Sequence, residues 1–163
     1  MNPFLRLKHW QVFLMLTTGF ILHNFRIQEN PLLTSFFCIV GAIIYFSWIP
    51  IMVYELSKRL NERITLNYAL FIFTSCLWLT VYLTMTLMQI YGSGKLPFFQ
   101  LGIFLIFFPA IHYFIFPARL LKSIEINAKA KVVDCLWYFL LLVNLPIGIW
   151  FLQPRINKQI NSV

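Results

Sequence analysis

The sequence predicts an all-α protein: a polytopic transmembrane helical bundle of four full spans, followed by a fifth C-terminal apolar segment. Three observations carry this. Of 163 residues, 60% are hydrophobic, 18% aromatic and only 11% charged, with a mean hydropathy of +0.78. Soluble domains carry about 25% charged residues, and a chain this short cannot enclose so many apolar side chains in one core. The apolar residues also come in unbroken runs such as "FFCIVGAIIYF" and "LGIFLIFF". A membrane β-barrel would instead alternate in polarity over pieces of about ten residues. Finally, a peptide group in lipid must find its partner within its own segment, which leaves the helix.

Read in order, the chain forms a single transmembrane domain over residues 1–163. The first apolar segment, 10–25, is short for a span, but His9, Trp10, His23 and Asn24 suit the two interfaces. Arg6 and Lys8 before it imitate a signal peptide; no small-x-small cleavage pattern follows, so an uncleaved span is expected. The second segment, 31–54, opens on Pro31, tolerated in a first turn because the amide it lacks would be unpaired there. Within it Thr34, Cys38 and Ala42 recur every fourth residue beside Gly41. Small residues at that spacing form a packing face, within one chain or between copies. The third segment, 66–91, stops at "YGSGK", the fourth spans 97–117 and the fifth 132–152.

Two connecting loops, 55–65 and 118–131, hold a basic face: Lys58, Arg59 and Arg63 in one, Arg119, Lys122, Lys129 and Lys131 in the other. Positive loops stay on the cytoplasmic side, which puts the N-terminus there too. Leu56, Leu60 and Ile64 repeat every fourth residue, and Glu55–Arg59 and Lys58–Glu62 have the spacing of helical ion pairs. The second span is thus expected to continue out of the membrane as a helix. In the other loop Leu120, Leu121 and Ile124 oppose Lys122, Glu125 and Lys129. That is either an amphipathic helix on the inner leaflet or an ordinary solvated loop.

The fifth segment is ambiguous. Asn144, Pro146 and Gly148 interrupt its middle. A full, kinked crossing leaves nine basic residues inside and four outside; a re-entrant path leaves eleven inside and two outside. Its length suits a crossing and its charge suits re-entry, so both remain open.

Candidate functional positions are few. An ionisable group inside a membrane is the usual flag of function, and here Glu55 and Asp134 sit only at interface depth. His112 lies deep in "FFPAIHYFIFPAR", flanked by Pro109 and Pro117. With Asn144 and Pro146 these form a candidate gate or kink set; the alternative is a neutral ring donating to a carbonyl freed near Pro109. On the third span Cys76, Thr80 and Thr84 share one face, a candidate pore lining or helix-packing face. The basic face suits anionic lipid headgroups or a membrane or cytosolic protein partner; a nucleotide or nucleic acid is a weaker fit. Cys38, Cys76 and Cys135 lack metal-ligand spacing. There are no paired carboxylates, no serine near a usable base, no phosphate-cradling glycine loop and no HExxH-like motif. The expectation is therefore a non-enzyme without metal or cofactor, and the lack of a mid-membrane carboxylate disfavours an ion-coupled transporter.

"RLKHWQVFL" (6–14), "YFSWI" (45–49) and "PIGIWFLQPRIN" (146–157) resemble stretches of a group of small multi-span bacterial membrane proteins of Bacteroidota. The resemblance covers the two ends and the middle of the second span. It implies a bacterial inner (cytoplasmic) membrane protein and carries no functional residue across. The expected function is a homo-oligomeric pore or channel-like membrane effector, for example of a stress or phage-defence pair with a soluble partner. The alternative is an accessory or scaffold subunit of a larger membrane complex.

Overall fold

The computed structural model describes residues 7–61, 64–92 and 96–161, and of residues 96–105, 160 and 161 the backbone alone. Among the described residues the chain is all-α, with no strand. The helices are α1 (His9–Asn24), α2 (Pro31–Ser57), α3 (Tyr68–Ile90), α4 (Leu96–Ile126), α5 (Leu136–Val143) and α6 (Leu145–Asn161), with a 3-10 turn at Val133–Cys135 before α5.

Helix starts follow local chemistry. The Asn30 side chain accepts from Leu33 N at 3.0 Å with Pro31 in the first turn of α2, and the Asn67 side chain accepts from Leu70 N at 3.0 Å at the start of α3. By length and composition α2 and α3 can cross a bilayer. The outer surface is apolar rather than charged: Phe73 is 66% exposed, Phe107 66% and Ile147 69%.

The core is aromatic where α2, α3 and α4 meet. Trp78 stacks on Tyr113 at 4.7 Å and Phe71 on Phe116 at 4.7 Å, while Phe46 meets Trp78 edge-on at 4.6 Å. Tyr113 is buried and donates its hydroxyl to the Phe46 carbonyl at 2.6 Å, tying α4 to α2.

α1 and α2 pack through glycine. A Cβ on Gly41 would lie 2.2 Å from the backbone nitrogen of His23, and one on Gly19 only 3.0 Å from the Gly41 carbonyl. The small-residue face of Thr34, Cys38, Gly41 and Ala42 is buried, and Gly41 at its centre meets α1 of the same chain.

Two sequence expectations need correction, and one alternative left open is decided. First, α2 ends at Ser57 rather than continuing through the 55–65 loop, so Ile64 is not on its helix. Glu55, expected to pair with Arg59, meets Lys58 instead at 3.2 Å; Glu62, the expected partner of Lys58, lies like Arg63 outside the described residues, as does part of "YGSGK". Second, residues 118–126 form neither a loop nor a separate surface helix. They continue α4, and Ala118, Leu120, Leu121 and Ser123 are buried in the bundle. The helix stops at Asn127, whose φ is +49°, with Ala128 N bonding back to Ser123 O at 3.2 Å.

Of the two courses left open for the C-terminal segment, the chain turns back rather than running on as one kinked helix. α5 and α6 fold back on each other at Asn144. A Cβ on Gly148 would lie 1.9 Å from the Leu141 carbonyl oxygen, a distance a continuous helix cannot produce between those positions. Arg155 meets Tyr138 and lies 3.9 Å from Glu125, so the far end of α6 returns to the end where α5 began. Pro146 sits in the first turn of α6. The break is satisfied locally: Asn144 donates through its backbone and its side chain to Leu140 O at 3.1 and 3.0 Å. Ile147 N and Gly148 N bond to Asn144 O at 3.0 and 2.7 Å. α6 then packs against α1, with Gln153 Nε2 donating to Leu7 O at 3.2 Å.

Gly148→Ala should destabilise the protein by about 1–3 kcal/mol, because the new methyl group overlaps a backbone carbonyl rather than a movable side chain. The exposed neighbour change Ile147→Ala should cost less than about 0.5 kcal/mol. Thermal unfolding of the two variants in detergent checks this; equal stability would refute the tight turn.

Candidate functional site

The polar row Cys76, Thr80 and Thr84 does lie along one face of α3, and all three residues are exposed. Thr84 Oγ1 donates to Thr80 O at 2.8 Å, so its proton is used within the helix. Their neighbours turn inward: Ser75 and Thr86 are buried and donate to Phe71 O at 2.7 Å and Tyr82 O at 2.9 Å.

His112 takes a different partner from the one expected. Its Nδ1 lies 2.8 Å from Thr74 Oγ1 on α3, and Thr74 also donates to Leu70 O at 2.9 Å. The ring is thus held by a hydroxyl across the α3–α4 interface and not by a carbonyl freed near Pro109. Pro109 and Pro117 are buried within an unbroken α4. Asn144 and Pro146, the rest of the gate set, belong to the α5–α6 turn instead. His112 reaches a cleft of about 420 Å³ between the start of α3 and the lower half of α4, shared with Asn67, Leu70, Phe116, Arg119 and Lys129.

The two basic loops converge. Asn61 donates to Asn127 at 3.3 Å, Arg59 donates to Gln159 O at 3.2 Å, and Arg119 Nε donates to Ala130 O at 2.9 Å. Lys122 lies 3.7 Å from Glu125; Lys129 and Lys131 are exposed. Together with Lys8, Arg155 and Lys158, nine described Lys and Arg residues gather at one end of the bundle, and only Arg26 lies at the other.

Two clusters escaped the sequence reading. At the end away from the basic loops, His23 Nδ1 lies 3.1 Å from Cys38 O and His23 Nε2 lies 2.7 Å from the Tyr82 hydroxyl. A carbonyl only accepts, so Nδ1 carries the proton and Nε2 can accept from Tyr82. The two rings stack at 5.5 Å, and Arg26 donates to His23 O at 2.8 Å. His23 therefore joins α1, α2 and α3, where its place near a span end suggested only an interface residue. Arg26 and Gln89 line two adjoining clefts there, of about 280 and 330 Å³. At the basic end, Glu125 accepts from Tyr138 at 2.5 Å and meets Arg155, which joins α4, α5 and α6. Among the described residues no three His, Cys, Asp or Glu side chains group as metal ligands.

Comparison with protein-family models, curated proteins and solved structures yields no match. The geometry of the site carries the functional argument alone.

Tyr82→Phe should lower stability by about 0.5–1.5 kcal/mol, because it leaves the half-buried Nε2 of His23 without its donor. Thr84→Val should leave the stability of the single chain nearly unchanged, since within the chain its hydroxyl bonds only its own helix. Unfolding curves in detergent compare them; a silent Tyr82→Phe would show that the His23 cluster does not hold the helices together.

Proposed function

We propose that the chain is a multi-pass protein of a bacterial inner membrane that works as a homo-oligomeric, pore-like membrane effector and not as an enzyme. α1 to α4 are its four spans, the N-terminus is cytoplasmic, and the α5–α6 hairpin enters from the cytoplasmic side and returns. Gathering of nine of the described basic residues at one end supports that orientation. α1 has only 16 residues, about 24 Å of helix, and reaches both interfaces through polar residues at its ends.

The observation that carries the oligomer is the exposed row Cys76–Thr80–Thr84 on α3, a helix apolar enough to cross a bilayer. A polar row gains little from facing acyl chains. It gains more against a second copy, or against water in a path between copies. The basic end then offers a soluble, acidic partner its docking side.

Thr80→Leu combined with Thr84→Leu should abolish ion flux through reconstituted vesicles while leaving the monomer fold intact. Unchanged flux would remove the row as a lining. A monodisperse monomer without flux would replace this reading with an accessory subunit of a larger complex. The topology has its own check: Lys158→Cys should be shielded from a membrane-impermeant thiol reagent added outside cells, and Gln28→Cys should react. Outside labelling at position 158 would overturn the re-entrant hairpin.

A further inference from the structure

We infer that the α3–α4 cleft at the basic end is a binding site for one anionic phospholipid, its phosphate held by Arg119 and Lys129 and an acyl chain lying along Leu70, Ile115 and Phe116. The inference rests on the membrane reading above but not on the oligomer.

Charge and position together mark this cleft out within the basic face. Lys58, Lys122 and Arg155 each have a glutamate within 4 Å: Glu55 for the first, at 3.2 Å, and Glu125 for the others, at 3.7 and 3.9 Å. Among the described residues Arg119 and Lys129 have none, as is true of Lys8, Lys131 and Lys158, but only these two line one cleft together. Arg119 spends only its Nε, on the Ala130 carbonyl, and that bond fixes the guanidinium beside the cleft mouth. Two uncompensated cations at one mouth attract a phosphate, and a guanidinium has further donors to give it.

Shape makes the ligand an amphiphile. The cleft has about 420 Å³; beyond the cations Leu66, Leu70, Ile115 and Phe116 form its apolar wall, with Thr65, Asn67 and His112 as its polar members. A free phosphate would leave that apolar wall unused. Depth agrees: His112 lies seven residues before Arg119, about 10 Å further into the bundle, so the cleft runs from headgroup level toward acyl level. Basic pockets between membrane helices on the cytoplasmic side are general sites for anionic headgroups. His112 marks the deep end of the cleft, where Thr74 fixes its ring.

Native mass spectrometry of the detergent-purified protein, loaded with equimolar phosphatidylglycerol and phosphatidylcholine, tests the site. The wild type should retain phosphatidylglycerol preferentially. Lys129→Gln, a change at an exposed side chain, should cut that retention about fivefold, and Arg119→Gln with Lys129→Gln more than tenfold. Lys58→Gln with Lys122→Gln, equal in charge change, should leave it as in the wild type. Equal losses in both double variants would overturn the site in favour of diffuse attraction. Displacement of the lipid by excess inorganic phosphate would also overturn it, in favour of a free anion. Should Arg119→Gln unfold the protein, Lys129→Gln alone decides. The same spectra report the number of copies, so failure of the lipid site is read separately from failure of the oligomer.

Discussion

A peptide group removed from water must meet a donor or acceptor, and this chain has few polar side chains to offer. The backbone therefore serves itself, which confines the described residues to helices and short turns. The hydroxyl side chains obey the same constraint: Ser35, Thr74, Ser75, Thr84 and Thr86 all donate to a carbonyl four residues back on their own helix. Even the sharpest irregularity complies. Where α5 ends, Asn144 uses its main chain and its amide on the same Leu140 carbonyl and offers its own carbonyl to the next helix. A break satisfied in this way can sit in apolar surroundings.

Once the backbone is satisfied, glycine and aromatic contacts set helix distances, and a few polar clusters set register. Gly19 and Gly41 bring α1 against α2, and there His23 can reach both the Cys38 carbonyl and Tyr82. Trp78, Tyr113, Phe71 and Phe116 form the opposite joint. Charge is sorted along the bundle. The start of the chain, both basic loops and α6 share one end, and Glu125 is the carboxylate around which Lys122, Tyr138 and Arg155 collect.

Much of this was legible in the sequence, for physical reasons. Pro31 marks a helix start by the amide it lacks, and α2 begins there. The spacing of Cys76, Thr80 and Thr84 fixes a shared face, and the face exists. One error arose where the end of an apolar run was taken as the end of a helix. The run ends at Pro117, but α4 continues to Ile126 because Leu120, Leu121 and Ser123 still face the core. The fifth segment has the length of one span. Its reversal depends on Gly148 against Leu141 and on Arg155 reaching Glu125, thirty positions away, and no local pattern encodes either contact. The same holds for His23 and Tyr82, which are 59 positions apart. What the α3 row faces lies outside one chain and so outside its sequence.

The bond from Gln153 to the Leu7 carbonyl spans 146 positions and has a temporal consequence. Helices α1 to α4 can emerge from the ribosome and settle in order, but α1 keeps one flank bare until α6 has been synthesised. The hairpin that fills this gap brings Arg155 back to Glu125 and Tyr138, at the end of the bundle that holds both basic loops. Closure of the bundle thus waits for its last helix, and a chain truncated before residue 145 would leave that flank of α1 unfilled.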